Sequence, residues 1–217
     1  MTFWRATGCI LRRGRLRLPR HAEQTMGMPA PLRHRWTRAE VEALIDANPL
    51  STPRYELVDG ELLVTPAPNL LHQAAALELA VALREYLRRT GAGEVFMSPA
   101  DVELKAGGLV QPDVFVLPRD DARRFRTTPP ARTLLLAAEV ISPGSAKIDR
   151  GQKRVLYQEY VPEYWIVDLD AELCERWRPG DERPEILRDA IAWRPVGATL
   201  AFVLEIPAYF ARVRGEA

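Results

Sequence analysis

The sequence has little cysteine and little histidine, and its charges almost cancel. Two cysteines in 217 residues, Cys9 and Cys174, provide neither a disulfide framework nor the paired spacing of a zinc site, which suits a reducing cytoplasm. Three histidines, His21, His34 and His72, offer no pair for a metal cage. With 30 basic against 29 acidic residues the formal net charge is +1, so any contact with DNA has to come from a local basic face. No apolar run approaches the ~18 residues needed to cross a bilayer, and no apolar core follows the early arginines as in a signal peptide, so no membrane partner is expected. Internal repeats, a glycine-rich phosphate loop and a nucleophile elbow are also missing, and no aromatic platform for stacking RNA bases stands out.

A hydrophobic content of 47% is enough for one sizeable core. Residues 1–35 differ from the rest, with eight arginines (5, 12, 13, 15, 17, 20, 33 and 35) against one acid, Glu23. They read as a disordered basic arm, or as a stretch ahead of a true start at Met26 or Met28. Residues 36–217 are expected to form one domain.

Thr37-Arg38-Ala39-Glu40 is a capping-box pattern and predicts a helix over 38–47 that stops near Pro49. YELVDGELLVT, residues 55–65, predicts a β-hairpin turning at Asp59-Gly60. Its acids Glu56 and Glu61 read most simply as solvated. Asn69 can cap a long helix over 70–89 that ends at Gly91 and carries the stripe Leu71, Ala75, Leu79, Leu83 and Leu87. His72 lies in its first turn, where a lone histidine is more often a surface or satisfied residue than a ligand, with a substrate contact as the alternative. Residues 94–104 read as strand, and Gly107-Gly108 turns the chain onward.

Two apolar runs follow, each holding one acid. Val110 to Leu117 contains Pro112-Asp113, and Leu134 to Ile141 contains Glu139 ahead of Ser142-Pro143-Gly144. A carboxylate is rarely buried unless it is paired or bound to a metal. Asp149 then opens a helical segment whose Lys153, Tyr157 and Tyr160 share one face, so the lysine can point back at the acids. Two carboxylates and an ammonium can hold Mg²⁺ or Mn²⁺ and a phosphate oxygen, with Gln111 or the Val140 carbonyl completing the shell. The plainer alternative makes Asp113 a turn acid and Glu139 a stabilising partner of Arg or Lys. Residues 118–132 read as a polar surface loop whose Arg119, Arg123, Arg124 and Arg126 could meet a phosphate backbone. Beyond them, YWIVDL and AELCERWRP, joined across Asp168 to Ala171, predict a second hairpin, with Tyr164 and Trp165 as core or dimer aromatics and Glu163 as a further acid. Residues 186–210 read as edge strands.

The motifs YELVDGELLVTPAPNLLHQ, QPDVFVL, AEVISPGS and DRGQKRVLYQEYVPEYWIVD, in that order, resemble the Uma2 family of bacterial endonucleases within the PD-(D/E)XK superfamily, over about residues 36–210. The resemblance implies an α+β fold: a restriction-endonuclease-like core with a central mixed β-sheet flanked by helices, and β-hairpins toward each terminus. It also implies a divalent-metal site, with Asp113 and Glu139 as metal ligands and catalytic residues, which an acid of the first hairpin, Glu56 or Glu61, could approach. Ile141 stands where the superfamily pattern has lysine. Lys153 is the natural substitute, and Lys147 the runner-up. The expected function is a Mg²⁺-dependent DNA endonuclease, which as a homodimer could cut both strands of a duplex. The alternative is a non-catalytic nucleic-acid-binding or protein-interaction module that keeps the fold.

Overall fold

In the computed structural model the described residues are 34–48, 50, 52–124, 128–141 and 144–216. Residues 1–33 of the basic arm, its candidate start sites, Pro49, Arg126 and the Ser142-Pro143 pair lie outside them.

Local sequence sets the first elements as expected. Thr37 Oγ1 accepts from the Glu40 amide at 3.3 Å while Glu40 accepts from the Thr37 amide at 2.7 Å, which starts α1 (Arg38–Ala47). Strands β1 (Arg54–Val58) and β2 (Glu61–Thr65) join through Asp59 and Gly60 at φ 50° and 79°, the left-handed pair that a tight hairpin turn requires. Asn69 Oδ1 accepts from the His72 amide at 2.9 Å and so caps α2 (Leu70–Thr90). Gly91, at φ 71°, stops it.

The chain continues through β3 (Gly93–Met97), β4 (Val102–Glu103), β5 (Leu109–Val110), β6 (Val114–Pro118), the short α3 (Arg119–Arg124) and β7 (Leu136–Ile141). A crossover follows, made of α4 (Ala146–Ile148), a π-helical turn over Asp149–Lys153, and α5 (Arg154–Tyr160). The remaining elements are β8 (Tyr164–Asp168), β9 (Leu173–Trp177), β10 (Glu185–Leu187), β11 (Ala190–Trp193), β12 (Phe202–Glu205) and α6 (Ile206–Val213).

Six strands form the central sheet in the order β10-β9-β8-β7-β6-β3, and β7 and β8 are its parallel pair, so the sheet is mixed. A second sheet, β2-β1-β5-β4, and the antiparallel pair β11-β12 complete the architecture. One face of the central sheet meets α2, through Ala75, Leu79, Leu83 and Leu87, and α6, around Trp165. The other face meets α5 and the smaller sheet, through Phe115, Ala137, Tyr157, Tyr164 and Ile166. Cover on both sides is why β7 is a continuous apolar run, buried at all six positions, rather than an alternating one. Glu139 is the exception within it.

Four expectations change. The run from Val110 to Leu117 is not one strand, because Gln111–Asp113 carries the chain from the smaller sheet into the central one. The strand-like stretch over 94–104 also divides, β3 joining the central sheet and β4 the smaller one. Within 118–132 lie α3 and a 3-10 turn over Ala131–Thr133, with Glu103 bridging to Pro130. The C-terminal stretch ends in a helix: Ile206, Tyr209, Phe210 and Val213 are its buried residues, a helical spacing introduced by Pro207 in the first turn.

Candidate active site

The site forms where β1, β6, β7 and the crossover converge. Each of these elements presents charge inward from an otherwise apolar frame. On β1, Arg54 and Glu56 are two residues apart and therefore share a face. Glu56 is 0% exposed, which corrects its reading as a solvated hairpin acid. It is buried because β1 is an inner strand, flanked by β2 and β5.

Asp113 sits just before β6, where β7 runs on past its last β6 partner. The Val140 amide donates to Asp113 Oδ2 at 2.9 Å, Arg54 NH1 donates to Oδ1 at 2.8 Å, and His72 Nε2 lies 3.1 Å from Oδ2. His72 is thus a partner of the acid and not a surface residue, its side chain 12% exposed. Glu139 Oε1 accepts from Lys153 Nζ at 3.0 Å and from the Tyr157 hydroxyl at 3.2 Å. The same ammonium lies 2.9 Å from Glu56 Oε2 and 3.6 Å from Asp149 Oδ1. Glu56 Oε1 in turn accepts from the Gln111 amide at 2.8 Å, which ties the smaller sheet to the acid cluster.

Lys153 thus points back at the acids, as its helical spacing allows. The π-helical turn, in which the Arg154 amide bonds back to the Asp149 carbonyl, ends with it. Such insertions re-aim side chains and recur at functional sites. Lys147 is exposed on α4 and does not line the cleft. Gln111 contributes its backbone, while its side chain donates to Asp101 at 2.8 Å. Arg119, Arg123 and Arg124 stand on α3, beyond the far end of β6 from Asp113, so roughly 17 Å of strand separates them from the acids. Glu163 accepts from the Trp165 indole at 2.8 Å and from Arg178 at 3.3 Å, away from the site.

Electrostatics separates the acids. Burial works to raise the Asp113 carboxyl, but the His72 ring and the Arg54 guanidinium outweigh it and hold the group well below the usual carboxylate range. At Glu139 burial dominates. Lys153 opposes it, Asp113, Asp149 and Glu56 reinforce it, and the carboxyl rises well above its ordinary value. Asp149 moves up for the same leading reason, burial. For Lys153 burial alone would lower the pKa, yet Glu139 and Glu56, with Asp149 and Asp113, push it upward and keep the ammonium charged.

A cleft of about 460 Å³ opens over this cluster. Its lining holds four carboxylates, Glu56, Asp113, Glu139 and Asp149, against two permanent cations, Arg54 and Lys153. Among the described residues no three His, Cys, Asp or Glu side chains are arranged as a preformed metal cage. The acids do keep acceptor capacity. Of about four lone-pair sites per carboxylate, Asp113 uses three and Glu139 two, both on Oε1. Hard oxygens in negative excess are what Mg²⁺ or Mn²⁺ takes as ligands, so the donor set fits such an ion. Arg54 and Asp149 belong to the cluster and were missed from sequence, although each had a signal. Arg54 is two residues from Glu56 on one strand face, and Asp149 is four residues from Lys153 on a helix.

The family described as "Uma2: Putative restriction endonuclease" matches residues 39–205. A crystal structure of a "putative nuclease belonging to DUF820", from Anabaena variabilis ATCC 29413, superposes with a TM-score of 0.66 at 18% identity, covering 82% of this chain and 99% of that one. At that identity the likeness concerns the fold, which it shares. No curated protein matches the chain.

Proposed function

The chain belongs to the Uma2 family, and from that premise we propose that it is a divalent-metal-dependent endonuclease hydrolysing phosphodiester bonds of DNA. The observation that carries this reading is the single buried ammonium, Lys153, 3.0 Å from Glu139 and 2.9 Å from Glu56, beside the Asp113 carboxylate. Asp113 and Glu139 would hold the ion. Bound there, Mg²⁺ or Mn²⁺ would lower the pKa of a water and offset the charge gathering on the phosphate.

The chain's own groups have separable tasks. Arg54 and His72 fix the orientation of Asp113 and keep it ionised, ready to accept a cation. Tyr157 and Lys153 hold Glu139 Oε1 in place. Lys153, charged throughout the physiological range, can position a phosphate oxygen or the attacking water. Glu56 and Asp149 set the position of that ammonium. The competing reading of a non-catalytic module rests on Ile141 standing where lysine is expected. Lys153 beside Glu139 supports the catalytic reading instead.

Arg119, Arg123 and Arg124 serve phosphates only if a long substrate reaches past β6. A homodimer would supply two clefts for cutting both strands of a duplex, and the cytoplasm would keep the buried free Cys174 reduced. Replacing Asp113 with Asn is the direct test. Cleavage should fall by roughly a hundredfold or more while the circular dichroism spectrum is unchanged. Full cleavage by that variant would overturn the assignment.

A further inference from the structure

The floor of the cleft is charged, but its walls are apolar. One wall is the end of β2 and the segment after it, Leu63, Val64, Pro66, Ala67 and Pro68, and Ile148 of α4 is also in the lining. Val64 is 54% exposed although it is aliphatic and lies beside four carboxylates. A cleft lined by apolar side chains with a few polar groups among them has the usual make-up of a small-molecule site. The floor also lacks something. Arg54, His72 and Lys153 are the basic residues among the described lining, and each lies within 3.1 Å of an acid. With Lys153 assigned to the scissile phosphate and Arg54 and His72 bonded to Asp113, none of the three is left for the phosphates that flank the scissile bond. Duplex binding takes its affinity from rows of such Lys and Arg contacts. A volume of about 460 Å³ falls in the range of small-molecule sites, about 300 to 1,000 Å³. The positive end of α2, capped by Asn69 in the lining, favours one anion there.

Building on the nuclease reading, we propose that the cleft takes one unpaired nucleotide, with its phosphate over the acids and its base or sugar against the Val64–Pro68 wall. The preferred substrate is then single-stranded DNA. Enzymes that do chemistry on a base hold it in a comparable pocket, between apolar side chains, once it has left the stack. An intact duplex would have to give up a base before its phosphate could reach Glu139.

The test compares a labelled single-stranded oligonucleotide with a blunt hairpin duplex of the same sequence, by fluorescence anisotropy in Mg²⁺. It uses the full chain carrying Glu139→Gln so that nothing is cut. The single strand should bind tighter by about tenfold or more, and adding Val64→Asp should weaken it about tenfold without changing duplex binding, the scale of one lost base contact. Val64 is exposed and outside the catalytic set. Equal or tighter binding of the duplex, no binding of the single strand, or no effect of Val64→Asp would overturn the proposal. If Glu139→Gln does not fold, the ratio of wild-type cleavage rates on the same two oligonucleotides decides it by the same criterion. A wild type that cuts both equally keeps the nuclease reading and refutes this one.

Discussion

Replacing Lys153 with Met keeps the length of the side chain and removes its charge. The ammonium is 4% exposed, with Glu139, Glu56 and Asp149 at 3.0, 2.9 and 3.6 Å. Removing one partner of a buried ion pair typically costs about 3 to 5 kcal/mol, because the remaining charge is left uncompensated. Three carboxylates share this one cation, so the loss should lie toward the upper end at neutral pH, a large part of a typical folding free energy. The pH dependence identifies the cause. Glu139 already has a folded-state pKa above its unfolded value, and loss of Lys153 raises it further. A carboxyl raised in this way contributes its stability at low pH and loses it as pH climbs from the unfolded value through the folded one. The variant should therefore be closest to wild type in mild acid and fall away toward neutrality. Urea unfolding at several pH values measures this. A variant within about 1 kcal/mol of wild type at neutral pH, or one whose deficit does not change with pH, would refute the electrostatic account.

Other expectations are smaller or more local. Tyr157→Phe deletes one hydrogen bond to Glu139 and should cost about 1 kcal/mol in chemical denaturation, with partial loss of cleavage. Asn69→Ala removes the α2 cap and should lower stability by about 1 kcal/mol in the same assay. Gly93→Ala places a methyl group against the Leu117 carbonyl oxygen across the β3–β6 pair; a loss of about 1 to 3 kcal/mol is expected, and a neutral variant would show that the two strands can separate locally. Chelation with EDTA should abolish cleavage, and Mg²⁺ or Mn²⁺ added back should restore it.

Much of this arrangement was legible in the chain, and the boundary is instructive. The capping box at Thr37, the Asp59-Gly60 turn and the Asn69-to-Gly91 helix are local chemistry, and local chemistry can be read directly. Asp113 and Glu139 were conspicuous because an acid in an apolar run has to be explained, and Lys153 followed from helical spacing. What failed depended on tertiary partners. Glu56 looked solvated because its hairpin has a polar turn, and nothing in its neighbourhood shows that β5 covers it. Arg54 lies just ahead of the predicted hairpin and drew no reading of its own, yet it bonds to an acid 59 positions away. The stretch Val110 to Leu117 read as one strand because apolar content does not say when a chain changes sheets. The C-terminal helix was missed because β-branched and aromatic residues outweighed the spacing of Ile206, Tyr209, Phe210 and Val213.

The central claim is a cation held by Asp113 and Glu139 in the service of phosphodiester hydrolysis. Its most direct test is calorimetric titration of Mg²⁺ or Mn²⁺ into the wild type and into Glu139→Ala, with plasmid nicking followed in the same buffers. Binding and nicking should both be present in the wild type and both vanish in the variant, whereas a wild type that binds neither ion, or a variant that nicks as well as its parent, would contradict the account.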